Sequence, residues 1–189
     1  QDNAARIILT VTGADKMVTS HLQADAFFSQ YADKPAVDVH FLPGQVEVAD
    51  STIHIAESDL RFTTADKKLY VDHFQIGTSS HFVKADGVAS PLFSDSLHIQ
   101  LSHVDAGAIM PFVVAEETIG VGGDLSGTAD VYSVFGSPMF NADVTLDSAL
   151  LNETCIGNAT ARLYLDKELN HLIIDGDVMD GNHRVAHID

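Results

Sequence analysis

Apolar and polar residues alternate with a period of two along most of this chain. Phe140, Ala142, Val144 and Leu146 are interleaved with Asn141, Asp143, Thr145 and Asp147. That pattern marks a strand with one face in a core and the other in water. Leu97, Ile99 and Leu101 against His98, Gln100 and Ser102 read the same way, as do Ile53 and Ile55 about His54, and Ile7, Leu9 and Val11 about Ile8 and Thr10. Further strand-like runs cover Met17–Phe28, Val37–Leu42, Leu69–Ile76, Ser80–Ala89, Gly127–Phe135, Ala159–Leu165 and Leu172–Val178. Turn chemistry bounds them at Pro43-Gly44, Ala65-Asp66, Gly136-Ser137-Pro138 and Asp180-Gly181. About a dozen strands at this spacing predict an all-β chain of antiparallel sheet.

One segment breaks the rhythm. Asp105–Glu117 reads as a short helix capped by Asp105 and interrupted near Pro111. Its Ile109, Met110, Phe112 and Val113 are expected to pack on one end of the sheet. The phrases Asp86-Gly87 and Asp175-Gly176 echo each other and hint at a repeated sheet unit. The organisation expected is one β-rich unit, or two consecutive sheet repeats over about residues 1–90 and 91–189.

Composition narrows the partners. With 46% hydrophobic residues in 189, the chain folds rather than staying disordered. A formal charge of −17 repels phosphate backbones, which argues against nucleic acid, and supplies no basic patch for anionic headgroups. It leaves open an acyl chain held against apolar side chains, because the acids can occupy the other face. The single cysteine, Cys155, forms no internal disulfide. No apolar run approaches the ~20 residues of a membrane-spanning helix, and the first residues do not resemble a signal peptide. The chain starts without Met and stops in a strand-like run, His183–Asp189. Both features are expected of a segment cut from a longer protein whose targeting and anchoring parts lie outside it.

Motifs for chemistry are sparse. Ten histidines are scattered with no HExxH and no tight His/Cys cluster, so no metal site is expected. Asp175-Gly-Asp-Val-Met-Asp180-Gly lacks the spacing and closing Glu of a calcium loop, and reads as a strand running into an Asp180-Gly181 turn. Gly120–Gly123 precedes an alternating strand where a phosphate cradle needs a helix, and no Gly-x-Ser-x-Gly elbow occurs. No spacing singles out a catalytic carboxylate pair. The expectation is a non-enzymatic protein without metal or cofactor.

The stretch Leu97–Asp180 carries a resemblance. Leu97–Phe112 looks like a strand running into a short end-of-sheet helix, and Gly123-Asp-Leu-Ser-Gly-Thr leads through an alternating strand to Gly136-Ser-Pro138 and a second strand, Met139–Leu146. This is similar to the Leu-Ser-Gly-Thr, strand, Gly-x-Pro, strand phrase of the AsmA-like and TamB (translocation and assembly module) proteins. Ala49–Ser90 resembles an earlier unit of the same kind, so that the resemblance covers about two thirds of the chain. It implies an elongated, curled antiparallel sheet, a β-groove, taco-like or sandwich-like in section, with one short helix. It further implies a periplasmic protein anchored in the inner membrane, which shelters phospholipid acyl chains or works with an outer-membrane assembly protein. The triplets Asp50-Ser51-Thr52, Asp95-Ser96-Leu97 and Asp147-Ser148-Ala149 resemble the Asp-Ser/Thr-apolar O-glycosylation acceptor of Bacteroidetes, which would suit an envelope protein.

Alternation then nominates the groove-facing residues: Leu97, Ile99, Leu101, Ala129, Val131, Phe140, Val144, Leu146, Leu163, Leu165, Leu172 and Ile174. Two other classes compete. A cell-surface β-sandwich adhesin or carbohydrate-binding module would share the acidity and alternation, although sugar binders display aromatic platforms and this chain has no Trp. A parallel β-helix hydrolase or lyase would need repeated coils and clustered acid–base residues that the sequence does not contain.

Overall fold

The computed structural model describes residues 4–12, 18–48, 51–107, 120–166 and 171–188. The chain is all-β, as the alternation predicts. Fourteen strands belong to one antiparallel sheet. They are β1 (Ala4–Thr12), β2 (Val18–Tyr31), β3 (Lys34–Phe41), β4 (Gly44–Val48), β5 (Ser51–Ile55), β6 (Ser58–Thr63), β7 (Lys68–Gly77), β8 (Phe82–Ala89), β9 (Ser96–Asp105), β10 (Val121–Tyr132), β11 (Met139–Leu151), β12 (Thr154–Asp166), β13 (His171–Asp180) and β14 (His183–Ile188). The chain divides into two compact units, one of Gln1–Ile99 with Val131–Pro138, the other of Gln100–Asp130 with Met139–Asp189.

The first unit is a meander hidden behind broken strands. β3 and β4 both lie along β2, with Ala24 opposite Phe41 and His21 opposite Gln45. β6 and β5 lie along β3 and β4, with Phe41 opposite Ser58 and Gly44 opposite Ile55. β7 then runs along both β6 and β5. Four short segments therefore act as two long strands, each paired with its neighbours in the chain. The expected reversal at Pro43-Gly44 does not occur. Pro43 has no N–H to give a ladder, so it sits at a one-residue register shift against β2 while the strand continues. The Leu42 N–H still reaches the Gln23 carbonyl at 3.0 Å and the Ala56 N–H the Gln75 carbonyl at 2.9 Å, carrying the ladder past both breaks.

A bulge recurs along the chain. In β7, Asp72 and His73 oppose the single residue Asp86 of β8. His73 takes a left-handed φ of 54°, and its freed N–H donates to the Asp86 carboxylate at 3.0 Å. His103 in β9 (φ 49°) donates likewise to the Ser126 hydroxyl at 2.9 Å, and Ser148 in β11 (φ 50°) to the Asn158 side chain at 3.0 Å. An N–H turned out of its ladder must find a partner, and a short polar side chain on the next strand provides it. Beside each acceptor stands a positive-φ glycine, Gly87, Gly127 or Gly157. A Cβ at these glycines would lie 2.4, 2.3 and 2.1 Å from the carbonyl oxygens of Ser96, Asp143 and Met179. Gly127 thus sits in the middle of β10 and not at the start of the strand expected over Gly127–Phe135. The Asp-Gly echo is also corrected. Asp86-Gly87 has its counterpart in Ser126-Gly127, whereas Gly176 is in regular register opposite Ala161.

Elsewhere the turns at Ala65-Asp66, Gly136–Pro138 and Asp180-Gly181 lie where expected. Of the expected helix, the described part is Ala106-Gly107, where the Asp105 carboxylate accepts the Gly107 N–H at 2.9 Å in the manner of an N-cap. Ile109, Met110, Phe112 and Val113 lie outside the described residues.

Candidate functional site

The site is a sheet face and not a pocket. In the second unit the registers of β11, β12 and β13 place Ala142 opposite Leu163 and Leu163 opposite Ile174. The next rows are Val144–Ala161–Gly176 and Leu146–Ala159–Val178. Period-two geometry puts these residues on one side, with Asp143, Arg162 and Asp175 on the other. Val178 and Gly176 are buried; Val144, Leu146 and Leu163 are half-buried, and Ile174 is 39% exposed.

The first unit repeats the arrangement independently. Ala26–Val39–Leu60–Val71 and Phe28–Val37–Phe62–Leu69–Ala89 form two cross-strand apolar rows on one face. Among the described residues, six of the nine buried apolar side chains are alanine, and the others are Ile55, Val71 and Val178. Apart from those three, the large apolar side chains whose burial is described are half-buried or exposed, with Phe28 at 52%. A sheet face covered by a second layer would bury its Leu and Phe. Here the covered side chains are mostly alanine, while Phe28 and Phe62 in these rows stay accessible.

The opposite face is charged. Across the first unit, Arg6, Asp25, His40, Asp59 and Asp72 stand in one row. Arg6 makes a two-pronged contact with Asp25, at 2.6 Å in each prong, and holds its carboxyl below the usual carboxylate range, chiefly by hydrogen bonding. His40 bonds Asp59 at 2.8 Å and approaches Glu57 at 3.3 Å. The Asp59 hydrogen bond is the main reason its imidazole stays protonated above the ordinary histidine range. In the second unit Arg162 reaches Asp143 at 2.7 Å, and Asp177 holds both His187, at 3.0 Å, and Arg184, at 3.4 Å. The pKa directions set a pH dependence. The raised His40 value adds stability that is complete below about pH 6.5, the unfolded value, and is lost as pH rises through the folded one. Thermal melts are therefore expected to show wild type more stable than His40→Asn at pH 6, with the gap narrowing as pH is raised. A gap that widens with pH would contradict this assignment.

Asp72, His73 and Asp86 bring imidazole and carboxylate atoms within 4.8 Å of one another, the one such grouping among the described residues. That donor set suits a divalent cation by type. The bulge already accounts for it, since Asp86 accepts the His73 N–H and Asp72 touches the His73 ring.

The twelve residues nominated from alternation divide between the units. Leu97, Ile99 and Val131 fall in the first, and the other nine in the second. Val144, Leu146, Leu163 and Ile174 share one face, and Leu165 and Leu172 are register partners. Leu97, Ile99, Leu101, Ala129, Val131 and Phe140 are each half-buried. The small residues between them, Ala142, Ala159, Ala161 and Gly176, are not among the twelve, although the alternation of β11 already places Ala142 on that face and the Ala/Thr alternation of β12 signals the same. The sequence reading also overlooked the apolar rows of β2, β3, β6 and β7 as a second face of the same kind. Compared with family models, with curated proteins and with solved structures, the chain matches none.

Proposed function

We propose that this chain is a non-catalytic module of a periplasmic envelope-biogenesis protein, whose apolar sheet face shelters phospholipid acyl chains or assists outer-membrane assembly. One observation carries the reading. Large apolar side chains keep part of their surface accessible on a regular face, Leu163 half-buried and Ile174 39% exposed, while the carboxylates of the same strands, Asp143, Asp175 and Asp177, lie on the other side. A surface of this kind gains about 0.8 kcal/mol per methylene it covers, so that about ten methylenes would yield about 8 kcal/mol before ordering costs. Alanine and glycine in the middle rows leave room for a chain to lie between larger side chains. The sequence resemblance to AsmA-like and TamB proteins supports the same class, including the periplasmic setting and inner-membrane anchorage of the intact protein. The acid-rich reverse face suits an aqueous compartment and repels anionic surfaces.

The test is mass spectrometry of lipid extracted from purified protein after incubation with bacterial membranes. Wild type is expected to retain phospholipid. Val144→Asp, which places a carboxylate in the central row, is expected to lose most of it while keeping its circular dichroism spectrum. Lipid-free wild type, or equal retention by the two proteins, would rule out acyl-chain sheltering by this face.

A further inference from the structure

Two loops of the first unit are clasped together and display bare apolar side chains. The β8–β9 loop is Ser90–Asp95 and the β10–β11 loop Ser133–Pro138. The Ser133 hydroxyl donates to the Pro91 carbonyl at 2.9 Å, and the Ser133 and Phe135 N–H groups donate to the carbonyls of Leu92 and Ser90 at 3.3 and 3.1 Å. The Ser90 hydroxyl accepts the Leu92 N–H at 2.9 Å. Both serines are buried, Ser90 at 0% and Ser133 at 2% exposure. This pinned backbone holds out Leu92 at 50%, Phe93 at 55% and Phe135 at 47% exposure.

The charge pattern says what such a tip suits. The chain carries 27 acids against 10 Lys and Arg, yet the two loops contain a single ionisable residue, Asp95. Its carboxylate is paired with Lys68 at 2.8 Å, and both side chains are mostly buried. The displayed surface is therefore electrically neutral as well as apolar. Such a surface enters the boundary between headgroups and acyl chains without stripping water from a charge. A protein partner for so acidic a chain would be expected to offer cations, and this tip has nothing for them to pair with.

We infer that the clasped loops are a docking tip that inserts Leu92, Phe93 and Phe135 into the interface of a zwitterionic lipid bilayer. This inference does not rest on the acyl-chain reading of the sheet face.

Flotation with phosphatidylcholine vesicles tests it. Wild type is expected to float, and the triple variant Leu92→Ser/Phe93→Ser/Phe135→Ser to remain at the bottom of the gradient with an unchanged melting temperature. Adding phosphatidylglycerol is expected to reduce recovery, because the chain is strongly acidic. Val144→Asp is expected to float like wild type, so that failure of the acyl-chain reading leaves this result standing. The chain has no Trp, which makes Phe93→Trp a clean reporter. Its emission is expected to shift to the blue with vesicles and to be quenched by brominated lipid, and this readout stands even if the triple variant fails to fold. Absence of both changes would overturn the inference. So would flotation of a folded triple variant, or wild type that fails to float, including one that self-associates through the tip instead.

Discussion

Gly127→Val is expected to cost about 3 kcal/mol or more and to leave the second unit largely unfolded at 37 °C. Two independent penalties combine at this position. A φ of 148° is accessible to glycine and strained for a β-branched residue. A Cβ would stand 2.3 Å from the Asp143 carbonyl oxygen and 2.8 Å from the Val144 Cα, both backbone atoms of the neighbouring strand that cannot step aside without breaking the ladder. Gly181 is the control. It also has positive φ, at 56°, but a Cβ there would meet nothing within 4 Å. Gly181→Ala is therefore expected to cost only the local left-handed penalty of about 1 kcal/mol. Urea denaturation of the two variants measures the difference. Equal stability would mean that the close approach at the bulge is not a determinant of the fold.

Ser133→Val is expected to be the second most damaging change, at about 2 kcal/mol, because it leaves the part-buried Pro91 carbonyl without its donor and strains a left-handed backbone. The Ser133 hydroxyl holds the Pro91 carbonyl across the clasp, and the residue is itself in the left-handed region, with φ 50°. Valine fails on both counts. Ser133→Gly separates them, since it removes the hydroxyl and relieves the backbone. It should fall between wild type and valine. Hydrogen exchange at the Phe135 amide, which donates to Ser90, is expected to accelerate in both variants as the loops part. Unchanged protection would show that the clasp is held by something other than Ser133.

Much of the fold is legible in the residues. Strict alternation through Phe140–Leu146 identifies β11 and its apolar side, because a period of two admits no other regular structure. The Asp180-Gly181 hairpin follows from turn chemistry in the same local way. Pro43-Gly44 misleads for the opposite reason. A proline–glycine pair signals a reversal, but it also satisfies a bulge in a continuing strand, and only pairing with β2 distinguishes the two.

The histidines show the same division. Two of the ten, His73 and His103, occupy left-handed bulge positions, where histidine is among the more tolerant residue types. Others, such as His40, are partners of cross-strand carboxylates. Neither role has a sequence signature, since each depends on which residue of another strand stands opposite. The clasp is equally silent. Ser90 and Ser133 are 43 residues apart and look like ordinary loop serines until the two loops meet.

Taken by itself, then, the sequence determined the class of structure, the strands and the side of each that is apolar, because these depend on contacts within a few residues. The tertiary structure alone decided the rest: that the chain runs through Pro43 without turning, that glycines recur beside caught bulge amides, that the large apolar side chains stay half-open, and that two loops join to present a neutral apolar tip. Each of these is a property of register between strands, and register is settled by side chains distant in sequence that must share one pleated surface.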